Sequence, residues 1–308
     1  MVALDAADAV ARPLLHEFAA DKGIEVVTRA ADGADADLLW MRDPEPALRA
    51  AARHELAPLP GGDYGRPAAM VDPARNWIAV SAIARVLVYD PARMNDSDVP
   101  SQVLELSRPD VARRLVLADP TRGAGAWHAA ALIGAVGEAR VLDFYRALLT
   151  NGAAVVADED DVLAALTSGE RAIALTDSDR ALAVQEHRRD LVISFPDQDG
   201  AGAFVLPAVL SVTTRGAAQA TTGALLEYLL SPPIARRVAL TANAILVLDD
   251  AAEEPAGMLA IGRLHTMPVS YTELAARLAA TRAALSPVIG RGSPVTAGAA
   301  QVDPPTPR

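Results

Sequence analysis

Short apolar runs alternate with segments of helical spacing along almost the whole chain, the pattern of an α/β fold with parallel sheets. The first helical segment places Val10, Leu14, Leu15 and Phe18 on one face, with Pro13 near its first turn and Gly23 as its stop. Residues 24–27 then predict a strand, 37–40 another, and 46–56 a helix. The long apolar run 77–90, interrupted at Arg85, predicts one or two strands rather than a helix. A strand over 115–118 ends in the turn Asp119-Pro120-Thr121-Arg122-Gly123, and helices follow over 125–135 and 138–149. Next come a strand (153–156), a helix (160–167) stopped by Gly169, a strand (172–175) and a helix reaching His187. A strand over 204–213 precedes helices over 219–230 and 233–240, and a last helix spans 271–285. From Arg291 the chain is Pro, Gly, Ala and Thr, the composition of a disordered tail.

Composition narrows the class. The 308 residues are 51% apolar, enough for one large domain or two lobes with their own cores. The net charge of −11 and the lack of a basic run argue against nucleic acid, whose phosphates demand clustered Lys and Arg. Without cysteine there is no disulfide, thiol chemistry or cysteine metal site. No stretch reaches the roughly 18 apolar residues of a membrane span. The first residues, Met1-Val2-Ala3-Leu4-Asp5, lack the layout of an export signal, so a removed signal and a cytoplasmic chain both stay open.

Several segments, in order, resemble the extracytoplasmic solute-binding proteins of ferric-iron-type ABC importers. Arg12 to Val27 is similar to the family's opening helix and second strand, and Asp37-Leu38-Leu39-Trp40 with Asp43-Pro44 to its strand-Trp-acid-Pro segment. Trp77 to Asp90 resembles the segment that crosses between lobes. The turn into a helix at Leu117 to His128, Thr167 to Asp179, Pro196-Asp197-Gln198 and Leu229 to Pro232 complete the series. The resemblance implies a two-lobed, type II periplasmic-binding-protein-like α/β fold, each lobe a mixed, mostly parallel sheet flanked by helices. Lobe one is expected over 1–82 and 208–262, lobe two over 83–207, and a C-terminal helical segment over 263–290. It also implies a monomer that closes on a small molecule or ion by hinge bending, outside the cytoplasm, with an ABC permease as partner.

Candidate site residues follow from the turns. The start of the helix after Thr121, Arg122, Gly123 and Gly125 is a ready anion site, because its first N–H groups lack internal partners; an ordinary strand-to-helix turn would use the same residues. Trp127, just inside that helix, is placed to line the cleft. Asp177, Ser178 and Asp179 stand where a strand ends and a helix begins, the ligand edge of an open α/β sheet, though either Asp177 or Ser178 also suits a helix cap. Iron-binding relatives present two adjacent tyrosines here, and this chain has none. Asp43 falls where relatives often carry a ligating Glu. A hard cation, Fe(III) among the candidates, would therefore fall to the oxygens of Asp43, Asp177 and Asp179. The acidic run Asp158 to Asp161 reads mostly as a dipole-favoured first turn. No histidine pair has metal-ligand spacing, and His128 is expected to have a structural or surface role rather than a catalytic one.

The chain also departs from its relatives: Ile83 stands where they often have Arg, the linker between Val27 and Asp37 is short, and the first strand is nearly absent. Ferric iron, another metal with an anion, and an altered ligand all remain open. A sensor or scaffold without a transport role is the alternative to a transport receptor. An enzyme ranks last, because no G-x-S-x-G, P-loop, complete G-x-G-x-x-G or zinc motif occurs.

Overall fold

A computed structural model describes residues 1–4, 8–30, 35–61, 64–241 and 260–290. The expected tail and part of the 28–36 linker lie outside these residues.

The first half of the chain contributes β1 (Val2–Leu4), α1 (Asp8–Lys22), β2 (Thr28–Ala30), β3 (Leu38–Met41), α2 (Glu45–Ala52), β4 (Leu56–Ala57) and β5 (Ile78–Tyr89). Then follow α3 (Pro109–Ala112), β6 (Leu115–Ala118), α4 (Gly123–Val136), α5 (Glu138–Thr150), β7 (Ala154–Val156), α6 (Glu159–Thr167), β8 (Ile173–Asp177) and α7 (Ser178–Gln185). The chain continues through β9 (Val192–Ser194), β10 (Val205–Thr213), α8 (Ala220–Leu230), α9 (Pro232–Thr241) and α10 (Tyr271–Ile289).

The strands join in the order β2-β1-β3-β10-β5-β8-β6-β7, with β4 on β10 and β9 on β5. At its centre β5 changes partners along its length. Residues 78–84 pair antiparallel with β10, and residues 85–89 pair antiparallel with β8. A strand shared in this way has neighbours along both edges and helices over both faces, so 11 of its 12 residues are buried. That is why the run lacks a two-residue alternation in the sequence. On one flank β1 lies parallel to β2 and β3; on the other, β6 lies parallel to β7 and β8. The fold is the expected mixed α/β architecture.

Two packed regions hold the sheet. On the outer face near the N-terminus, Leu14, Leu15 and Phe18 of α1 meet Leu225, Leu226 and Leu229 of α8 over Val2, Leu38 and Trp40. The larger cluster runs from Leu39 and Met41 through Ala82 and Val86 to Leu115, Trp127, Phe144 and Leu175. It is continued by Tyr271, Leu274 and Leu278 of α10, a helix that packs on α4, α5 and α2.

Three expectations needed correction. The first strand is present, because Val2–Leu4 pairs on both sides and is fully buried. The strand expected at 24–27 lies instead at Thr28–Ala30: Ile24 and Val26 pack against the outer core, but it is Thr28 to Ala30 that register with β1. The helix expected over 46–56 ends at Ala52, and Leu56–Ala57 leaves to pair with β10 after His54 turns at φ +58°.

Candidate functional site

Four strands end at one cleft. Arg42 and Asp43 follow β3; Ala118, Asp119, Arg122, Gly123 and Ala124 lead from β6 into α4; Ala157, Asp158 and Glu159 lead from β7 into α6; and Asp177 closes β8. Ile83 and Leu206, a register pair on the crossing strands β5 and β10, form its floor. The volume is about 440 Å³, within the range of small-ligand pockets. Strand C-termini opening onto a crevice are the usual ligand edge of such sheets.

Of the expected site residues, the cleft is lined by Asp43, Arg122, Gly123 and Asp177. Thr121 does not line it: its N–H and Oγ1 both donate to Asp119 Oδ1, at 2.9 and 2.7 Å. Gly125 serves packing. A Cβ there would stand 3.1 Å from Pro120 Cα, so the missing side chain lets α4 sit against its own turn. Trp127 is fully buried, and its Nε1–H donates to Asp43 Oδ1 at 3.0 Å. Asp179 is reached from the cleft through Arg42.

The electrostatics are layered. At the bottom Arg85 is buried, its Nη1 2.6 Å from Asp177 Oδ1 and 2.5 Å from Glu159 Oε1, and its Nη2 donates to the Leu175 carbonyl. Burial alone would lower the Arg85 pKa, but the two carboxylates outweigh it and raise it further, so this guanidinium is a fixed charge. Thr176 Oγ1 donates to the other Glu159 oxygen at 2.6 Å. Above this layer Arg42 Nη2 reaches Asp179 Oδ2 at 2.7 Å and Asp177 Oδ2 at 3.8 Å. Asp179 Oδ1 is buried with no hydrogen-bond partner among the described residues. At the rim Arg122, 75% exposed, has a loose partner in Asp119 at 3.7 Å.

The simple capping reading fails at α7. Asp177 makes no side-chain cap bond, because Arg85 takes its carboxylate. Ser178 Oγ accepts instead from the Ala84 N–H at 3.0 Å, tying α7 to the crossing strand. At α6 the acidic run forms the first turn as expected, with Asp158 capping it by accepting from the N–H groups of Asp160 and Asp161, both at 3.0 Å, but Glu159 turns inward to Arg85.

His128 is buried and stacks on Phe204, centroids 5.3 Å apart. Burial, with the positive charge of Arg85 behind it, pushes its imidazole down to about 3. No tyrosine lines the cleft. Tyr271 donates to the Val205 carbonyl and Tyr89 to Asp96; Tyr64 donates to the Pro60 carbonyl, Tyr228 meets Glu17, and Tyr145 is buried beside Phe144. Among the described residues no three His, Cys, Asp or Glu side chains converge as a metal site.

Arg42, Asp119 and Glu159 were not singled out from the sequence. Arg42 carries a legible signal, since it directly follows a buried strand and precedes Asp43. Glu159 was absorbed into an acidic run whose other members cap or face solvent.

A curated relative, the Fe(3+)-binding periplasmic protein of Serratia marcescens, is 26% identical over 169 residues, 50% of this chain and 49% of that one. The chain thus spans about half the length of the curated relative it matches. Among solved structures, iron-bound HitA of Pseudomonas aeruginosa superposes with a TM-score of 0.79 at 18% identity, covering 92% of this chain and 97% of that one. The Trichodesmium protein in complex with iron and citrate gives 0.77 at 17% identity, covering 93% and 98%. These likenesses establish the two-lobed fold. Residues 62–261 match the family described as bacterial extracellular solute-binding protein, and the chain belongs to that family.

Proposed function

We propose that this chain is the solute-capturing component of a bacterial ABC importer, acting outside the cytoplasmic membrane, and that it takes up a metal together with its anion. Ferric iron held by a hydroxy acid is the fitting case. The observation that carries this reading is a cleft that offers both signs of charge at once. Arg42, Arg122 and the start of α4 offer donors to an anion. Asp43, Asp119, Asp158, Glu159 and Asp177 also line it, so a bare dianion would meet more negative than positive charge. A chelate, whose metal offsets part of the anion's charge, matches that balance.

The rest of the reading concerns how capture works. The segments 1–82 with 208–262 and 83–207 act as the two lobes, and the change of partner along β5 at Ala84 and Arg85 serves as the hinge. Arg122, exposed and loosely paired, is free to swing onto the ligand. The partner is a membrane permease that receives the solute from a monomeric receptor. No helix among the described residues is long and apolar enough to cross a membrane. Binding rather than catalysis fits the cleft, because its central carboxylates are engaged by Arg85 and Trp127 and His128 is buried against Phe204.

Titration calorimetry with ferric citrate, citrate, inorganic phosphate, a sugar phosphate and a polyamine tests the reading. Ferric citrate is expected to bind with a Kd of about 1 μM or tighter, at least about tenfold better than citrate alone. At a hundredfold excess over Kd it stabilises the fold by about 2.7 kcal/mol, seen as a raised Tm. The reading is lost if no compound binds, or if the polyamine binds best.

A further inference from the structure

We infer that Arg42 sets the specificity of the cleft: its guanidinium fills the seat that a cation would take over Asp177 and Asp179, so the chain refuses bare metal ions and admits a metal only inside an anionic complex. The inference rests on the cleft being the ligand site.

The geometry is that of a tethered counter-ion. Asp177 and Asp179 are 7% and 8% exposed, whereas Arg42 is 37% exposed, so the arginine is the outer member and covers the pair. Its anchor is on another element: Arg42 follows β3, whereas the carboxylates stand at the end of β8 and the start of α7. Below the pair, Arg85 is buried and shared with Glu159. Arg85 thus serves Asp177 and Glu159, and the charge opposite Asp179 comes from Arg42.

Without Arg42, Asp179 would lose its ion pair and Asp177 would keep only Arg85, a demand for positive charge that a small cation answers well. Asp179 Oδ1, already buried and lacking a hydrogen-bond partner among the described residues, supplies an acceptor for it. With Arg42 in place, an incoming cation must displace a bound guanidinium. An incoming anion can approach the exposed side of that same guanidinium while its bond to Asp179 stays in place.

Terbium(III), a hard luminescent ion offered without a chelator, reads the seat directly. The wild-type chain is expected to show no saturable binding up to about 1 mM, while Arg42→Gln binds at least about a hundredfold more tightly. Adding Asp179→Asn to Arg42→Gln removes the gain, and Arg42→Lys, which keeps a cation, behaves as wild type. Should Arg42→Gln not fold by circular dichroism, Arg42→Met carries the same comparison. Saturable terbium binding by the wild type that Asp179→Asn abolishes would overturn the inference, as would an equal gain in the single and double variants. Ferric citrate capture is measured separately by calorimetry, so the receptor reading and this inference fail independently.

Discussion

The residues around β8 show how one buried charge reassigns its neighbours. Asp177 and Ser178 have the identities of helix caps, yet Arg85 takes the carboxylate and the Ala84 N–H takes the hydroxyl. Arg85 also weighs on His128, whose imidazole burial already keeps neutral. Depressed from an ordinary value of 6.5 to about 3, this histidine contributes stability that is fully present above pH 6.5. As pH falls from 6.5 toward 3 the unfolded chain takes up the proton first, and that contribution is lost, at up to about 1.4 kcal/mol per pH unit. Urea unfolding between pH 7 and 4 checks it. The slope should shrink in His128→Phe, which keeps a ring against Phe204; an unchanged slope would mean that other groups set it. Arg85 was visible as a break in an apolar run, but its pairing was not readable, because an arginine shared between residues 74 and 92 positions away leaves no local spacing.

At the scale of elements, what the sequence reveals depends on whether a segment answers to its own residues or to a partner. Helices α4, α5, α6 and α8 begin and end within two residues of expectation, since their stops and first turns are local. The short strands behave otherwise. β9 and β4 exist because β5 and β10 offer edges, and the apolar residues 24–27 pack without joining the ladder. Gly202 is a local feature with a distant cause. It enters β10 at φ +88°, and a Cβ there would come within 2.4 Å of the Thr266 carbonyl carbon, where Ala203 bridges to the strand-like segment before α10. Gly202→Ala should therefore cost roughly 2–3 kcal/mol in denaturant unfolding. A loss within about 0.5 kcal/mol would show that this junction yields freely.

Over the whole molecule, the order and spacing of short residue motifs were enough to point to the family, whereas the ligand chemistry was not legible. Asp43, Arg122, Gly123 and Asp177 were in view, but the cleft's charge balance is set by Arg42 and Arg85, one at a strand end and the other inside a strand. Arg85 meets its carboxylates when β5 pairs with β8, whereas Arg42 meets Asp179 only once the end of β3 faces the end of β8. The same facing makes contacts across the cleft, Arg42 to Asp179 and Trp127 to Asp43, which a solute must join or replace. With no cysteine in the chain, Arg53→Cys just after α2 and Arg146→Cys in α5, both exposed and one in each proposed lobe, accept a clean pair of spin labels. The distance between them, measured by pulsed electron resonance with and without saturating ferric citrate, tests directly whether two lobes close on a solute. The expected result is a broad ligand-free distribution that narrows to one short distance on saturation. An identical distribution in a sample that calorimetry shows to be fully bound would contradict the account.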